Sequence, residues 1–231
     1  MRQLPLNVRL SDHAVFASYF AGEHAAAVAS LQAAAAAQGP RLLWVWGGRA
    51  SGRTHLLQAA VAAAPATADG AVYLPLRELA TASPELLDGL DELSFIALDD
   101  IEAVAGNGAW ERALLLLHDR LSTASGRMAI SATRPPAQAG IALPDLASRC
   151  STAAVFHLAP LSDRGCAAAL QQRAAWRGLT LPDEVAQYLL TRMDRDIGSL
   201  FAQLDRLDHA ALAAQRRLTV PFARSVLETA R

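Results

Sequence analysis

A glycine-rich stretch in the first half of the chain has the residue types that hold a phosphate group. It spans residues 47–54 and reads Gly-Gly-Arg-Ala-Ser-Gly-Arg-Thr. Gly47 and Gly52 have the spacing of a phosphate-binding loop, in which backbone N–H groups and the N-terminus of the next helix cradle an anion. Thr54 stands where a hydroxyl reaches Mg²⁺, whereas Arg53 stands where the pattern has lysine. The stretch predicts a nucleotide phosphate site. The alternative is an ordinary glycine-rich turn between a strand and a helix.

Two carboxylates follow a later apolar run. Residues 95–98, Phe-Ile-Ala-Leu, precede Asp99 and Asp100. Open α/β sheets bind ligands at the carboxyl ends of their strands, so Asp99 is predicted to hold the Mg²⁺ shell and Asp100 to orient or deprotonate the attacking water. The alternative is a pair of aspartates that begin a turn. Thr133 follows a third run and could sense the terminal phosphate if its strand lies between the other two, although threonine is also common in turns.

Short apolar runs alternate with helical patterns before residue 160. The runs are typical of strands that are buried on both faces, and they lie at residues 42–46, 71–74, 95–98, 128–130 and 155–158. Helical spacing predicts helices at residues 21–37, 54–64, 84–90 and 110–122. This alternation indicates an α/β protein with a parallel sheet flanked by helices.

Strand patterns stop after Pro160. Helices are predicted at residues 162–176, 182–192, 197–215 and 221–230. We therefore predict three parts: an N-terminal segment over residues 1–20, an α/β nucleotide-binding domain over residues 21–160, and a small all-helical domain over residues 161–231.

The composition limits the functional classes. Of the 231 residues, 52% are hydrophobic, which excludes wholesale disorder. The formal net charge of −1 disfavours extensive DNA binding. Cys150 and Cys166 lack the spacing of a zinc site. No apolar run reaches the roughly 18 residues of a membrane span, and the N-terminal stretch has no continuous apolar segment of the signal-peptide type, so we expect a cytoplasmic protein. The sequence has no lysine, so a guanidinium or a histidine must fill every cationic side-chain role.

These motifs resemble the AAA+ core of the bacterial initiator DnaA, and more closely the DnaA-related Hda family. The resemblance rests on residues 47–55, 99–102, 133–136 and 143–149, followed by a helical lid. Hda proteins also have arginine in place of the loop lysine, and we expect this chain, like them, to lack the DNA-binding domain of DnaA. The resemblance implies an AAA+ phosphate-loop fold that binds ADP or ATP with Mg²⁺. The implied binding residues are Gly47, Gly48, Gly52, Arg53, Thr54, His55, Asp99, Asp100 and Thr133.

The resemblance also implies a role in the control of replication initiation. The DNA polymerase III sliding clamp (the beta subunit) holds Hda proteins, which prompt hydrolysis of DnaA-bound ATP and leave inactive ADP-bound initiator. Arg149 matches the arginine finger that is supplied in trans. From the residues alone, the alternative is a cation that caps a short helix.

The N-terminus resembles the clamp-binding peptide at Gln3, Leu4 and Leu6. The match departs from the longer family pattern after Leu6, and the alternative is a frayed terminus with no partner. In the lid, Gly198 stands where DnaA has its second sensor arginine, with Arg195 three residues before it. Together with arginine in the loop, this implies that the protein binds phosphate but hydrolyses its own nucleotide weakly.

Two other functional classes stay open at this stage. One is a stand-alone AAA+ ATPase, such as a helicase loader, that acts on its own nucleotide. The other is a DNA-binding module that uses a local arginine patch such as Arg216 and Arg217. A homo-oligomer is compatible with either of the AAA+ readings. We expect contact with DNA to be indirect or weak, and no contact with a membrane.

Overall fold

A computed structural model describes residues 14–65, 70–192 and 196–228. These residues form two compact units. The first comprises residues 14–16 and 24–159, and the second comprises residues 17–23 and 160–228. Each unit has its own cluster of buried apolar side chains.

Parallel strands form the sheet of the first unit. They are β1 (Leu42–Trp46), β2 (Ala71–Pro75), β3 (Phe95–Asp99), β4 (Arg127–Ala132) and β5 (Ala154–His157). Their order in the sheet is β2-β3-β4-β1-β5, and each neighbouring pair is parallel. The continuous apolar runs of β1, β3 and β4 suit their central places, because helices cover both faces of such a sheet. The predicted α/β class is confirmed, and β4 lies between β3 and β1.

The helices of the first unit come between the strands. They are α1 (Ala25–Ala35), α2 (Arg53–Ala63), α3 (Leu76–Leu79), α4 (Gly108–Thr123) and α5 (Pro144–Ser151). Trp44 of β1 and Trp110 of α4 are fully buried in the core of this unit. The side chain of Asn107 starts α4, because its Oδ1 accepts from the N–H groups of Ala109 and Trp110.

The helix predicted over residues 84–90 is wrong. Two 3₁₀ turns, Pro84–Leu87 and Leu90–Glu92, stand in its place. Gly89 lies between them with a φ of +82°. A residue in the left-handed conformation interrupts a right-handed helix. Residues 84–90 therefore do not form one regular α-helix, although their apolar spacing is helical.

The second unit is helical. Its helices are α6 (Asp163–Trp176), α7 (Asp183–Arg192), α8 (Ile197–Ala214) and α9 (Val220–Glu228). Ser162 and Asp196 cap α6 and α8, since their side chains accept from the N–H groups of Gly165 and Ser199. Buried leucines from α6, α7 and α8 fill the core, among them Leu170, Leu189 and Leu204. The predicted helical lid is confirmed.

The described residues include neither a membrane-spanning helix nor a preformed cluster of metal ligands. None of their helices has the length and apolarity to cross a bilayer, and no three His, Cys, Asp or Glu side chains among them are grouped as metal ligands. Cys150 and Cys166 are buried thiols that are not joined in a disulfide. Burial raises the pKa of the Cys150 thiol to about 12, so this thiol stays protonated and unreactive at neutral pH.

Candidate functional site

The glycine-rich turn joins β1 to α2 and lies against β4. The N–H of Gly47 donates to the carbonyl oxygen of Ala132 at 3.2 Å. A Cβ atom on Gly47 would lie 2.6 Å from the carbonyl oxygen of Leu158, so no larger residue fits there without a shift of backbone. Gly52 has a φ of +92° directly before α2 begins, a conformation that favours glycine. The local backbone therefore favours glycine over larger residues at both positions, as expected for a loop that fits closely around a phosphate.

Asp99, the last residue of β3, accepts hydrogen bonds from three hydroxyl groups. Thr54 Oγ1 and Tyr73 OH each donate to Oδ2 at 2.7 Å, and Ser131 Oγ donates to Oδ1. Asp99 is 4% exposed, so these donors replace water around the carboxylate. The structure thus brings together Thr54 and Asp99, the two residues that the sequence assigns to a magnesium site.

Sequence reasoning missed the two other donors to Asp99. Tyr73 lies on β2 and Ser131 on β4, the strands on either side of β3. Burial raises the pKa of Tyr73, and the negative charge of Asp99 raises it further, so the phenol keeps the proton that it donates. Thr133, the predicted phosphate sensor, is exposed just beyond the end of β4. Ser131 pairs with the buried Val45 of β1 in the sheet, a register that the sequence alone does not show.

Arg53 faces carboxylates at the same edge of the sheet. Its Nη2 lies 3.4 Å from Asp100 Oδ1, and its Nη1 lies 3.7 Å from Glu102 Oε1. The side chain of Arg53 is only 12% exposed. Arg77 Nε donates to the other oxygen of Asp100 at 2.9 Å. Two guanidinium groups and two carboxylates therefore form one charge cluster. The sequence did not predict that Glu102 and Arg77 belong to this site.

The backbone at Asp100 has an uncommon conformation. Its φ is +58°, the left-handed region that aspartate tolerates better than most residues. The N–H of Asp100 donates to Ser131 Oγ at 2.9 Å, so the hydroxyl that binds Asp99 also holds this turn. His55, in the first turn of α2, donates through Nε2 to the carbonyl oxygen of Val15 at 3.0 Å. It ties the N-terminal part of the unit to the helix that follows the loop.

Arg149 lies on the surface in the last turn of α5. Its Nε donates to Asp119 Oδ1 of α4 at 3.1 Å, and its side chain is 48% exposed. His118 Nδ1 lies 3.0 Å from the same oxygen. The hydrogen bond from His118, followed by that from Arg149, lowers the pKa of Asp119. The carboxylate is therefore charged at neutral pH, and it holds the guanidinium in a defined place.

Glu111 of α4 fixes the start of α5. Its Oε1 accepts from the N–H groups of Gly106 at 2.7 Å and Ala142 at 2.9 Å, and its Oε2 accepts from that of Leu143 at 2.7 Å. Leu143 is the N-cap residue of α5. Burial tends to raise the pKa of Glu111, but the three backbone donors lower it below its usual value. No sequence motif predicted this buried carboxylate, which positions the helix that carries Arg149.

Four residues named in the sequence analysis lie outside the described residues. They are Gln3, Leu4 and Leu6 of the predicted clamp-binding peptide, and Arg195 of the predicted lid motif. Gly198 is described and lies in the first turn of α8.

Comparisons with known proteins agree with this architecture. Residues 163–227 match the family model of the Hda lid domain. The fold is similar to domain III of the Thermotoga maritima replication initiation protein DnaA, with a TM-score of 0.78 and 17% identity over 96% of this chain and 98% of that chain.

Two further solved structures share the fold at lower coverage. AMPPCP-bound DnaA from Aquifex aeolicus has a TM-score of 0.72 and 17% identity, over 87% of this chain and 67% of that chain. The Thermotoga maritima RuvB Holliday junction branch migration motor has a TM-score of 0.59 and 14% identity, over 91% of this chain and 68% of that chain. At these identities the likeness establishes the fold alone, a parallel sheet flanked by helices and followed by a helical lid.

Proposed function

We propose that this DnaA-related AAA+ protein, whose lid matches the Hda lid domain, is a negative regulator of DNA replication initiation. It stimulates hydrolysis of the ATP bound to DnaA while it is held by the sliding clamp of DNA polymerase III. The observation that carries the proposal is the position of Arg149, whose guanidinium lies on the surface of a helix that a buried carboxylate anchors. Among the described residues its hydrogen-bonding partner is Asp119 and not the protein's own phosphate loop.

The proposed chemistry of Arg149 is the stabilisation of negative charge. During phosphoryl transfer, charge spreads over the oxygens of the transferred group, and a planar guanidinium placed beside them lowers the barrier. Arginine fingers supplied in trans raise the rate of other nucleotide hydrolases by about 10³ to 10⁵. In this proposal DnaA supplies the nucleotide and the water-positioning groups, and Arg149 supplies the missing positive charge.

The protein's own loop is proposed to bind ADP or ATP with Mg²⁺. The close contact at Gly47 and the left-handed Gly52 fit a loop that wraps a phosphate. The hydroxyl of Thr54 and the carboxylate of Asp99 are oxygen donors of the kind that Mg²⁺ prefers, and they meet at 2.7 Å. When bound, Mg²⁺ would neutralise phosphate charge. The bound AMPPCP in the related DnaA of Aquifex aeolicus supports this part of the proposal.

Weak hydrolysis at this own site is part of the proposal. Arg53 replaces the usual loop lysine and is held by Asp100 and Glu102. A phosphate must therefore share this guanidinium with two carboxylates. Asp100, the residue proposed to orient water, is in turn paired with Arg53 and Arg77. The nucleotide then stabilises the regulator, while the hydrolysis that matters occurs on the partner.

Clamp binding is proposed for the N-terminal segment with Gln3, Leu4 and Leu6. The support is the sequence resemblance to a clamp-binding peptide, in which glutamine and spaced leucines fill a polar pocket and an apolar groove. Replacing Leu4 and Leu6 by alanine should abolish binding to the clamp. It should leave contact with DnaA intact when the clamp is absent.

The deciding experiment measures phosphate release from ATP-loaded DnaA in the presence of DNA-loaded clamp and this protein. The wild type should accelerate release, and Arg149→Ala should reduce the stimulated rate by at least about a hundredfold. Arg206→Ala is the matched control, because Arg206 is an exposed lid arginine whose guanidinium donates to the side chain of Gln203. This variant should stimulate like the wild type.

Two results would contradict the proposal. If Arg149→Ala stimulates hydrolysis as well as the wild type, the arginine-finger assignment is wrong. If the isolated protein hydrolyses ATP rapidly without DnaA, the stand-alone ATPase class replaces the regulator.

A further inference from the structure

We propose that the surface beside Arg149 is a docking surface that receives an arginine or lysine side chain from the protein whose nucleotide Arg149 reaches. This inference rests on the proposed function and adds to it the residues that hold the partner. The docking surface consists of a pocket between α4 and the two 3₁₀ turns, together with the exposed Leu116 at its edge.

The pocket has an apolar floor and an acidic rim. Its volume is about 120 Å³, and it is lined in part by the buried Leu87 and Leu117. Glu85, Asp88 and Asp91 supply carboxylates at the rim, and Arg120 supplies one guanidinium. A cavity of about 150 Å³ is known to hold benzene, so a pocket of this size accommodates the end of a side chain.

The charges at the rim select the occupant. Three carboxylates against one guanidinium leave an excess of negative charge around the apolar floor. Arginine and lysine combine an aliphatic stem with a cationic end, so the stem can cover the leucines while the end meets the carboxylates. An acidic segment would be repelled, and a purely apolar side chain would leave the carboxylates without a partner.

Leu116 connects the pocket with Arg149. It is 56% exposed, so the described residues leave more than half of this large apolar side chain uncovered. Leu116 and Asp119 are three residues apart on α4 and therefore lie on one face of the helix. Asp119 in turn bonds Arg149. A protein that brings its triphosphate to Arg149 would therefore also contact Leu116. Because Leu116 and Arg149 lie on one continuous surface, we take that protein to be the occupant of the pocket.

The test compares contact variants with Arg149→Ala in the full-length protein. Leu116→Ala and Asp88→Arg should raise the concentration needed for half-maximal stimulation of DnaA by about tenfold, with the maximal rate unchanged. Arg149→Ala should instead reduce the maximal rate. Leu212→Ala is the matched control, because Leu212 is 78% exposed on α8 of the lid and lies outside the docking surface. It should leave both quantities at the wild-type value.

Direct binding to AMPPCP-loaded DnaA separates docking from hydrolysis. The two contact variants should lose about tenfold in affinity, and added salt should weaken wild-type binding more than it weakens Asp88→Arg binding. Unchanged affinity in both variants, with Arg149→Ala still inactive, overturns the docking surface and leaves the proposed function standing. If the variants instead lose self-association or clamp binding, the surface has a different occupant and the inference is wrong. Full stimulation by Arg149→Ala overturns the proposed function itself.

Discussion

Arg149 and Asp119 are joined through the Nε of the guanidinium, 3.1 Å from the carboxylate oxygen. Of the five N–H donors of arginine, this bond uses the one nearest the stem, and the fork of terminal donors is the part that binds phosphate in a bidentate manner. An exposed ion pair of this kind contributes little to stability. Its contribution is therefore geometric, because it fixes the direction in which the guanidinium points.

The first prediction concerns that orientation. Asp119→Ala should reduce the stimulated hydrolysis of DnaA-bound ATP by about five- to tenfold, because a freely rotating Arg149 loses part of the advantage of being oriented. Phosphate release at saturating protein measures the effect. The melting temperature should stay close to that of the wild type, which separates orientation from folding. Asp119→Glu, which keeps the carboxylate, should recover part of the rate, and equal rates for Asp119→Ala and the wild type would refute the role.

The second prediction concerns Glu102 and its pairing with Arg53. Glu102→Gln should tighten binding of ADP by about fivefold, since a partly buried carboxylate then no longer competes with phosphate for the guanidinium. Titration calorimetry with the purified protein measures the dissociation constant directly. Glu92→Gln, at an exposed glutamate of the second 3₁₀ turn, is the matched control and should have no effect.

A double variant tests whether the effect of Glu102 passes through Arg53. In an Arg53→Ala background, Glu102→Gln should no longer change ADP affinity, because the guanidinium for which the carboxylate and the phosphate compete is gone. If Glu102→Gln tightens binding equally in both backgrounds, the carboxylate acts on the nucleotide by another route. If it weakens binding in the wild-type background, the competition itself is disproved.

The sequence predicted the parts of this fold that depend on local pattern. The strand at Leu42–Trp46 coincides with its prediction because a short apolar run between Pro40 and Gly47 suits a strand in a sheet that is covered on both faces. The meeting of Thr54 with Asp99 also followed from local rules. Thr54 follows β1 and Asp99 ends β3, and both strands end at the carboxyl edge of one parallel sheet, with β4 between them.

Contacts between residues far apart in sequence could not be predicted in this way. Glu111 looks like one more charged residue of an amphipathic helix, and its burial against the backbone of Ala142 and Leu143 depends on how the chain returns from β4. The pairing of Arg53 with Glu102 likewise depends on the left-handed turn at Asp100. No periodicity or motif specifies that turn.

The third prediction is a pH-dependent stability that resides in Glu111. Glu111→Gln should lower the free energy of unfolding by about 2 kcal/mol at pH 7, because the amide retains one acceptor oxygen for three backbone donors and loses the charge. Urea unfolding measures the difference, with the exposed Glu92→Gln as the control. The pKa of Glu111 is lower in the folded protein than its usual value of 4.5, so the charged form favours folding.

The sign of the pH dependence follows from this lowered pKa. The stabilisation by Glu111 is complete above its unfolded pKa and disappears as the pH falls through the lower folded pKa. The difference between wild type and Glu111→Gln should therefore be constant from pH 6 to pH 8 and should shrink below about pH 4.5. A difference that grows in acid would show that the carboxylate is not the source of the stability.

The fourth prediction contrasts two neighbouring glycines of the loop. A Cβ atom on Gly47 would lie 2.6 Å from the backbone oxygen of Leu158 and 2.8 Å from Ser51 Oγ, whereas one on Gly48 would meet no atom of the described residues within 4 Å. Gly47→Ala must therefore shift the turn that holds the phosphate, and it should weaken ADP binding by at least about tenfold. Gly48→Ala should keep the affinity within about twofold, because it adds a methyl group to open space. Calorimetric titration of both variants against ADP decides the matter, since equal losses would mean that the steric fit at Gly47 does not shape the phosphate site.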